Sequence, residues 1–225
     1  MTSASPTPDL QEIRIPAGPT WLYGDLALPP AARGLVLFAH GSGSGRHSAR
    51  NRLVAAQLQQ AGIATLLMDL LTPEEEQADS RHRFDIALLT QRLQDATAWV
   101  AGQSDLRHAP IGYFGASTGA AAALIAAARL GQEIAAVVSR GGRPDLAGPA
   151  ALAAVKAPTL LIVGSGDPEV MALNEAAYRH LRCARSMAVV PGATHLFEEH
   201  GALEQVAQMA GRWFGSHFAA LAQEA

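Results

Sequence analysis

Residues 111–119 read Ile111-Gly112-Tyr113-Phe114-Gly115-Ala116-Ser117-Thr118-Gly119, and an alanine-rich run from Ala120 to Leu130 follows at once. An apolar segment of strand length therefore passes into an apolar helix through Gly-Ala-Ser-Thr-Gly. Such a tight turn holds Ser117 Oγ out at the carboxyl end of the strand, and it needs small flanking residues because the turn approaches neighbouring backbone. The helix N-terminus adds a favourable field for negative charge developing beside the hydroxyl. A serine that opens a helix is most often an N-cap and nothing more. The placement between this strand and this helix points instead to a nucleophile.

The same rhythm extends outward in both directions. Residues 12–16 and 20–29 read as two short extended runs parted by Ala17-Gly18-Pro19, and residues 35–39 as a continuous apolar strand. Helical spacing covers 49–61 and 84–101, with Ile86, Leu89, Leu93, Ala96 and Val100 on one face of the second. Further strands fall at 63–69, 134–139, 159–163 and 184–190, and further helices at 118–130, 169–181 and 203–218, whereas 71–83 reads as a polar loop. Short strands that are apolar throughout, alternating with helices, mark a parallel sheet covered on both faces. The expected fold is α/β, with residues 10–225 as a single domain and residues 1–9 as a flexible N-terminus.

A serine nucleophile needs a base, and the base an orienting carboxylate. Asp167 follows the strand at 159–163, and His195 follows the strand at 184–190. Parallel strands end at one sheet edge, so both loops emerge beside Ser117, in the chain order serine, acid, histidine. Asp145, in Arg140-Gly141-Gly142-Arg143-Pro144-Asp145, is the rival acid. Asp167 is preferred because it follows its strand more directly. Asp69 ends a strand ahead of the nucleophile and suits a backbone hydrogen-bonding role. His195 and His200 are five residues apart with Glu198 and Glu199 between them, a superficial metal pattern, but His195 is better used as the base; no metal or cofactor is implied.

The loop His40-Gly41-Ser42-Gly43-Ser44-Gly45 comes directly after the strand at 35–39. Its glycines let the chain double back, so that the Ser42 N–H can reach an oxyanion together with the Thr118 N–H. Gly41 and Gly43 would then line the substrate. The loop lacks the Gly-Lys-Ser/Thr end of a phosphate-binding Walker motif, and no suitably placed ribose-binding acid supports a dinucleotide fingerprint beyond Asp69.

Composition narrows the rest. The 225 residues carry a formal charge of -3, which does not suggest a nucleic-acid partner, and 49% hydrophobic residues are too many for a disordered chain. Cys183 is the single cysteine, so the fold depends on no internal disulfide. The opening MTSASPTPDLQEIRIPAG has neither a basic leader nor an apolar core, and the alanine-rich run after Ser117 reads as a buried helix rather than a membrane span. A soluble, cytoplasmic protein is expected. The last helix is apolar enough to pack internally or to join a homodimer.

On Gly115-Ala116-Ser117-Thr118-Gly119 and the Asp167 and His195 loops, the chain resembles the α/β-hydrolases, and more closely their small dienelactone-hydrolase-like branch. The similarity covers residues 20–218. It implies a three-layer fold with a mostly parallel sheet of seven or eight strands, helices on both faces and no large cap domain. HGSGSGRHSARN together with Ser-Arg-Gly-Gly-Arg-Pro is similar to bacterial hydrolases, some joined to a phosphoribosyltransferase domain that these residues do not supply. Dienelactone hydrolases proper use a cysteine where Ser117 stands, so ordinary esters are the expected substrates rather than dienelactone. Thioesters, lactones and activated amides run through the same machinery, and a non-catalytic binding module on the same scaffold is the competing reading.

Arginines crowd the expected mouth: Arg46 and Arg50, Arg81 and Arg83, Arg140 and Arg143. If several converge, they would bind an anionic group on a small-molecule ester. Arg46, Arg140 and Arg143 are the candidates, Arg140 first because it sits at a strand end. The alternative is pairing with Glu74, Glu75, Glu76 and Asp79. His47 and His82 are rim residues without assigned chemistry.

Overall fold

The structure, a computed structural model, describes residues 9–224. In chain order its elements are β1 Asp9–Ala17, β2 Thr20–Leu28, β3 Leu35–Ala39, α1 Ala49–Gln60, β4 Ala64–Met68, α2 Pro73–Ala78, α3 Ile86–Ala101, β5 Ile111–Ala116, α4 Thr118–Leu130, β6 Ile134–Arg140, α5 Gly148–Ala154, β7 Thr159–Gly164, α6 Pro168–His180, β8 Arg185–Val190 and α7 Ala202–Glu224. Asp9 already belongs to β1; the rest of the N-terminus expected to be flexible lies outside the described residues.

The strands form one mixed eight-stranded sheet in the order β1-β2-β4-β3-β5-β6-β7-β8. β1 and β2 are antiparallel to their neighbours, and every pairing from β4 to β8 is parallel. β3 to β7 are buried along their whole length, which is why they are apolar at both odd and even positions. Leu37, Leu66, Tyr113, Val137 and Leu161 point to one face, where Leu93 of α3 and Ala123 of α4 cover them. Val36, Phe38, Phe114 and Ile162 point to the other, under Val54 and Leu58 of α1 and Val206, Phe214 and Phe218 of α7. Burying each of those two α7 rings stabilises the fold by roughly 1.5–3 kcal/mol. Gly112 makes room for them, because a Cβ there would lie 2.6 Å from the Phe214 ring. β8 is one of the two sheet edges and is only half-buried.

One loop carries more structure than the sequence reading gave it. Residues 71–83 hold α2 and a 3-10 turn at Ser80–Phe84. Thr72 caps α2 in a reciprocal box: its hydroxyl accepts the Glu75 N–H at 3.2 Å, while the Glu75 carboxylate accepts the Thr72 N–H at 2.9 Å. Between β6 and β7 lie a 3-10 turn at Pro144–Ala147 and α5, and no cap domain. The parallel strands β3, β5, β6, β7 and β8 all deliver their carboxyl ends to one edge, and the site is built there.

Candidate active site

Ser117 sits between β5 and α4 with φ 50° and ψ -123°, one of three described non-glycine residues at positive φ. That backbone costs on the order of 1–3 kcal/mol and persists only where its surroundings enforce it. Here the Ser117 carbonyl accepts N–H groups from Ala120 at 3.1 Å and Arg143 at 3.0 Å. The glycines on either side are required by contact. A Cβ on Gly115 would lie 2.5 Å from Ala120 Cα, and one on Gly119 would lie 2.1 Å from the Ala39 carbonyl oxygen. Although Ser117 stands at the N-cap position, its hydroxyl caps nothing. The hydroxyl is left for other chemistry.

Asp167 and His195 meet. His195 Nδ1 lies 2.8 Å from Asp167 Oδ2, while Asp167 Oδ1 accepts the Val170 N–H at 3.3 Å as the N-cap of α6. The two loops are stitched together: Gly166 N donates to the Ala193 carbonyl at 2.8 Å, and Gly192 N to Ser165 Oγ at 2.7 Å. Gly164 allows this approach, since a Cβ there would lie 2.1 Å from the Ala193 carbonyl oxygen. Asp145, the rival acid, is held instead by Arg143 in a two-pronged pair at 2.9 and 2.8 Å.

Ser117 and His195 line one cavity of about 190 Å³, together with Gly41, Ser42, Arg50 and Arg140. Among the described residues no hydrogen bond joins Ser117 Oγ to the imidazole; such bonds commonly tighten only when substrate binds. Gly41 packs against the serine so closely that a Cβ would lie 2.9 Å from Ser117 Cβ. Gly43, at φ 69°, faces an adjoining cavity of about 530 Å³ lined also by Arg50, Arg83 and Glu76.

The loop after β3 departs from expectation at Ser42. Its N–H donates to the Thr118 hydroxyl at 3.0 Å rather than standing free for an oxyanion. The part-buried amide needs an acceptor, and Thr118 at the first position of α4 supplies one. The Thr118 N–H, at the start of that helix, has no partner within it. His40 is structural: its buried ring donates from Nδ1 to the Gly41 carbonyl at 2.9 Å and accepts the Leu70 N–H on Nε2 at 3.0 Å. Burial holds its pKa below the usual histidine value. Asp69 accepts the Arg46 N–H at 2.8 Å, the backbone role expected for it.

The arginines divide. Arg46 is turned away from the Ser117 cavity, which corrects its assignment to the substrate: Glu12, Asp25 and Asp69 hold its guanidinium at 2.8, 2.9 and 3.2 Å. Arg143 is committed to Asp145, Arg81 to Asp79 and Arg83 to Glu76. His47 contacts Arg52 and Asp25, and His82 Nδ1 donates to the Glu75 carbonyl. Of the three candidate arginines, Arg140 lines the cavity, as do Arg50 and the candidate Gly41. The sequence reading missed Phe197, whose ring lies beneath the Arg140 guanidinium at 5.9 Å and whose backbone is held at φ 57°. Its position two residues after His195 was the available signal.

Residues 32–212 match the family described as alpha/beta hydrolase domain. Two Mycobacterium tuberculosis proteins, provisionally named phosphoribosyl transferases, are each 57% identical over 207 residues, 92% of this chain but 46% of theirs. The chain thus spans less than half the length of these curated relatives. A crystal structure described as dienelactone hydrolase from Anabaena variabilis is 55% identical, with a TM-score of 0.91 over 94% of this chain and 99% of that one. Est1E from Butyrivibrio proteoclasticus shares the fold at 18% identity, with a TM-score of 0.78 over 92% of this chain and 99% of its own.

Proposed function

This chain belongs to the dienelactone-hydrolase-like branch of the α/β-hydrolase superfamily, and from that premise we propose that it is a serine hydrolase of carboxylic esters. One observation carries the reading. Ser117, at positive φ with an uncommitted hydroxyl, shares a cavity with a histidine whose far nitrogen is tied to Asp167. Ser117 Oγ attacks the ester carbonyl while His195 takes its proton at Nε2, and Asp167 fixes the ring by accepting from Nδ1. The oxyanion is stabilised by the Thr118 N–H, and by the Ser42 N–H once the Thr118 hydroxyl yields it. His195 then protonates the leaving alcohol and activates water to release the acyl group from Ser117.

The small cavity beside Ser117 suits small to medium substrates. Phosphoribosyl transfer, the activity in the curated relatives' names, is assigned here to the part of those proteins that this chain does not span. No described helix is long and apolar enough to cross a membrane, and the lone Cys183 requires no oxidising compartment, so the proposed location is the cytoplasm.

Turnover of p-nitrophenyl acetate and butyrate by wild type and Ser117→Ala tests the reading. Wild type should hydrolyse both, and the variant should lose at least about 1,000-fold in kcat. Equal rates in the two proteins would overturn it.

A further inference from the structure

We propose that Arg140, with Arg50 in the same cavity, forms a subsite for an anionic group carried by the ester that Ser117 attacks, a carboxylate or phosphate a few bonds from the scissile carbonyl. The inference rests on the hydrolase reading for its reacting atom, but not for its binding argument.

Arg140 is 7% exposed, and among the described residues neither Nε nor Nη1 has a hydrogen-bond partner. No carboxylate pairs with it among the described residues, and its guanidinium lies over the face of the Phe197 ring. A buried guanidinium with unmet donors is costly, and natural folds remove that cost by pairing. This fold does so elsewhere. Arg92, 6% exposed, gives one nitrogen to the Ala17 carbonyl and another to Glu75. Arg140 has been given no such partners, and it opens on the cavity that holds Ser117.

The second cation sharpens the point. Arg50 lines the same cavity and is near enough to disfavour the charge on Arg140, whose pKa is pushed down to about 10 by burial in the first place and by Arg50 in the second. Arg50 itself pairs with Glu198, whose side chain is 61% exposed. An oxyanion between the two guanidiniums would supply the missing acceptors and relieve their repulsion. The planar fork of an arginine suits carboxylate and phosphate alike. With about 190 Å³ available, the anionic group must sit close to the ester rather than at the end of a long chain.

The test compares matched esters on the whole chain. Mono-p-nitrophenyl succinate is set against its methyl ester, 4-acetoxybenzoate against its methyl ester, and 4-acetoxyphenyl phosphate against 4-acetoxyphenyl methyl ether. The first pair places a carboxylate on the acyl side, the second on the leaving side, and the third replaces carboxylate by phosphate. Wild type should favour the anionic member of at least one pair by about tenfold or more in kcat/KM, the scale of one charge-assisted hydrogen bond. The preference should collapse toward unity in Arg140→Met and survive in part in Arg140→Lys. Equal or reversed preference by wild type in all three pairs overturns the subsite whatever becomes of the variants. Calorimetric titration of wild type with succinate and with inorganic phosphate separates this from the hydrolase reading. Binding that Arg140→Met abolishes, without turnover of any ester, keeps the anion site and removes the hydrolase. Turnover of neutral esters with no anion binding does the reverse.

Discussion

His195 Nδ1 stands 2.8 Å from Asp167 Oδ2, and the other oxygen of that carboxylate caps α6 through the Val170 N–H. One side chain therefore orients the proposed base and starts a helix. The two duties are separable by chemistry. An asparagine at position 167 still offers an oxygen to the helix cap, since Asn caps as well as Asp. It cannot hold the imidazole in the tautomer that leaves Nε2 free to accept a proton.

Asp167→Asn should accordingly lower kcat about 1,000- to 10,000-fold while the melting temperature stays near wild type. Asp145→Asn, which breaks only the pair with Arg143, should change kcat by no more than a few-fold. Steady-state kinetics with thermal melts on both variants would check this. A larger loss in Asp145→Asn would move the orienting role to the rival acid.

The Ser42–Thr118 hydrogen bond makes a second prediction. Thr118→Val keeps the side-chain shape but removes the acceptor that holds the part-buried Ser42 amide. The bond, worth about 1 kcal/mol, must yield before the Ser42 N–H can serve the oxyanion, so its removal should raise kcat by up to roughly fivefold. Thr118→Ser, which retains a hydroxyl, should stay near wild type. A Thr118→Val variant slower than wild type would show that the hydroxyl positions the Ser42 amide rather than competing for it.

His40 supplies a dependence on pH. Its pKa in the folded protein lies below the ordinary value of about 6.5, because burial opposes the charged ring. As pH falls below that value the unfolded chain takes up the proton first, so the stabilisation present above it is lost progressively toward the lower folded pKa. The slope attributable to His40 approaches about 1.4 kcal/mol per pH unit at its steepest. Denaturant unfolding of wild type and His40→Gln between pH 7 and 5 would measure it. The variant's stability should fall less steeply over that range, and parallel curves would contradict the assignment.

What was legible in the sequence was mostly local. Strands at 35–39, 111–114 and 159–163 announced themselves because burial on both faces leaves no polar position to confuse the period. Parallel strand ends then brought Ser117, Asp167 and His195 to one edge without any knowledge of side-chain contacts. α2 was also legible in principle: Thr72-Pro73-Glu74-Glu75 is a capping signature, overlooked because its three glutamates read as a polar loop. Arg46 was not. Glu12 comes from β1, Asp25 from β2 and Asp69 from the end of β4, and nothing near residue 46 shows that these three would converge on it. The sorting of Arg140 from Arg143 likewise depended on a packed ring and a local carboxylate, contacts that exist only once β6 and the turn after it are folded.

The central claim is that Ser117 is an activated nucleophile, and intact-mass analysis after treatment with a small fluorophosphonate tests it most directly. Wild type should gain the mass of a single adduct, mapped to Ser117 by peptide sequencing, and Ser117→Ala should gain none. A folded wild-type protein that stays unlabelled by probes of several sizes, or that labels equally in the variant, would contradict the account.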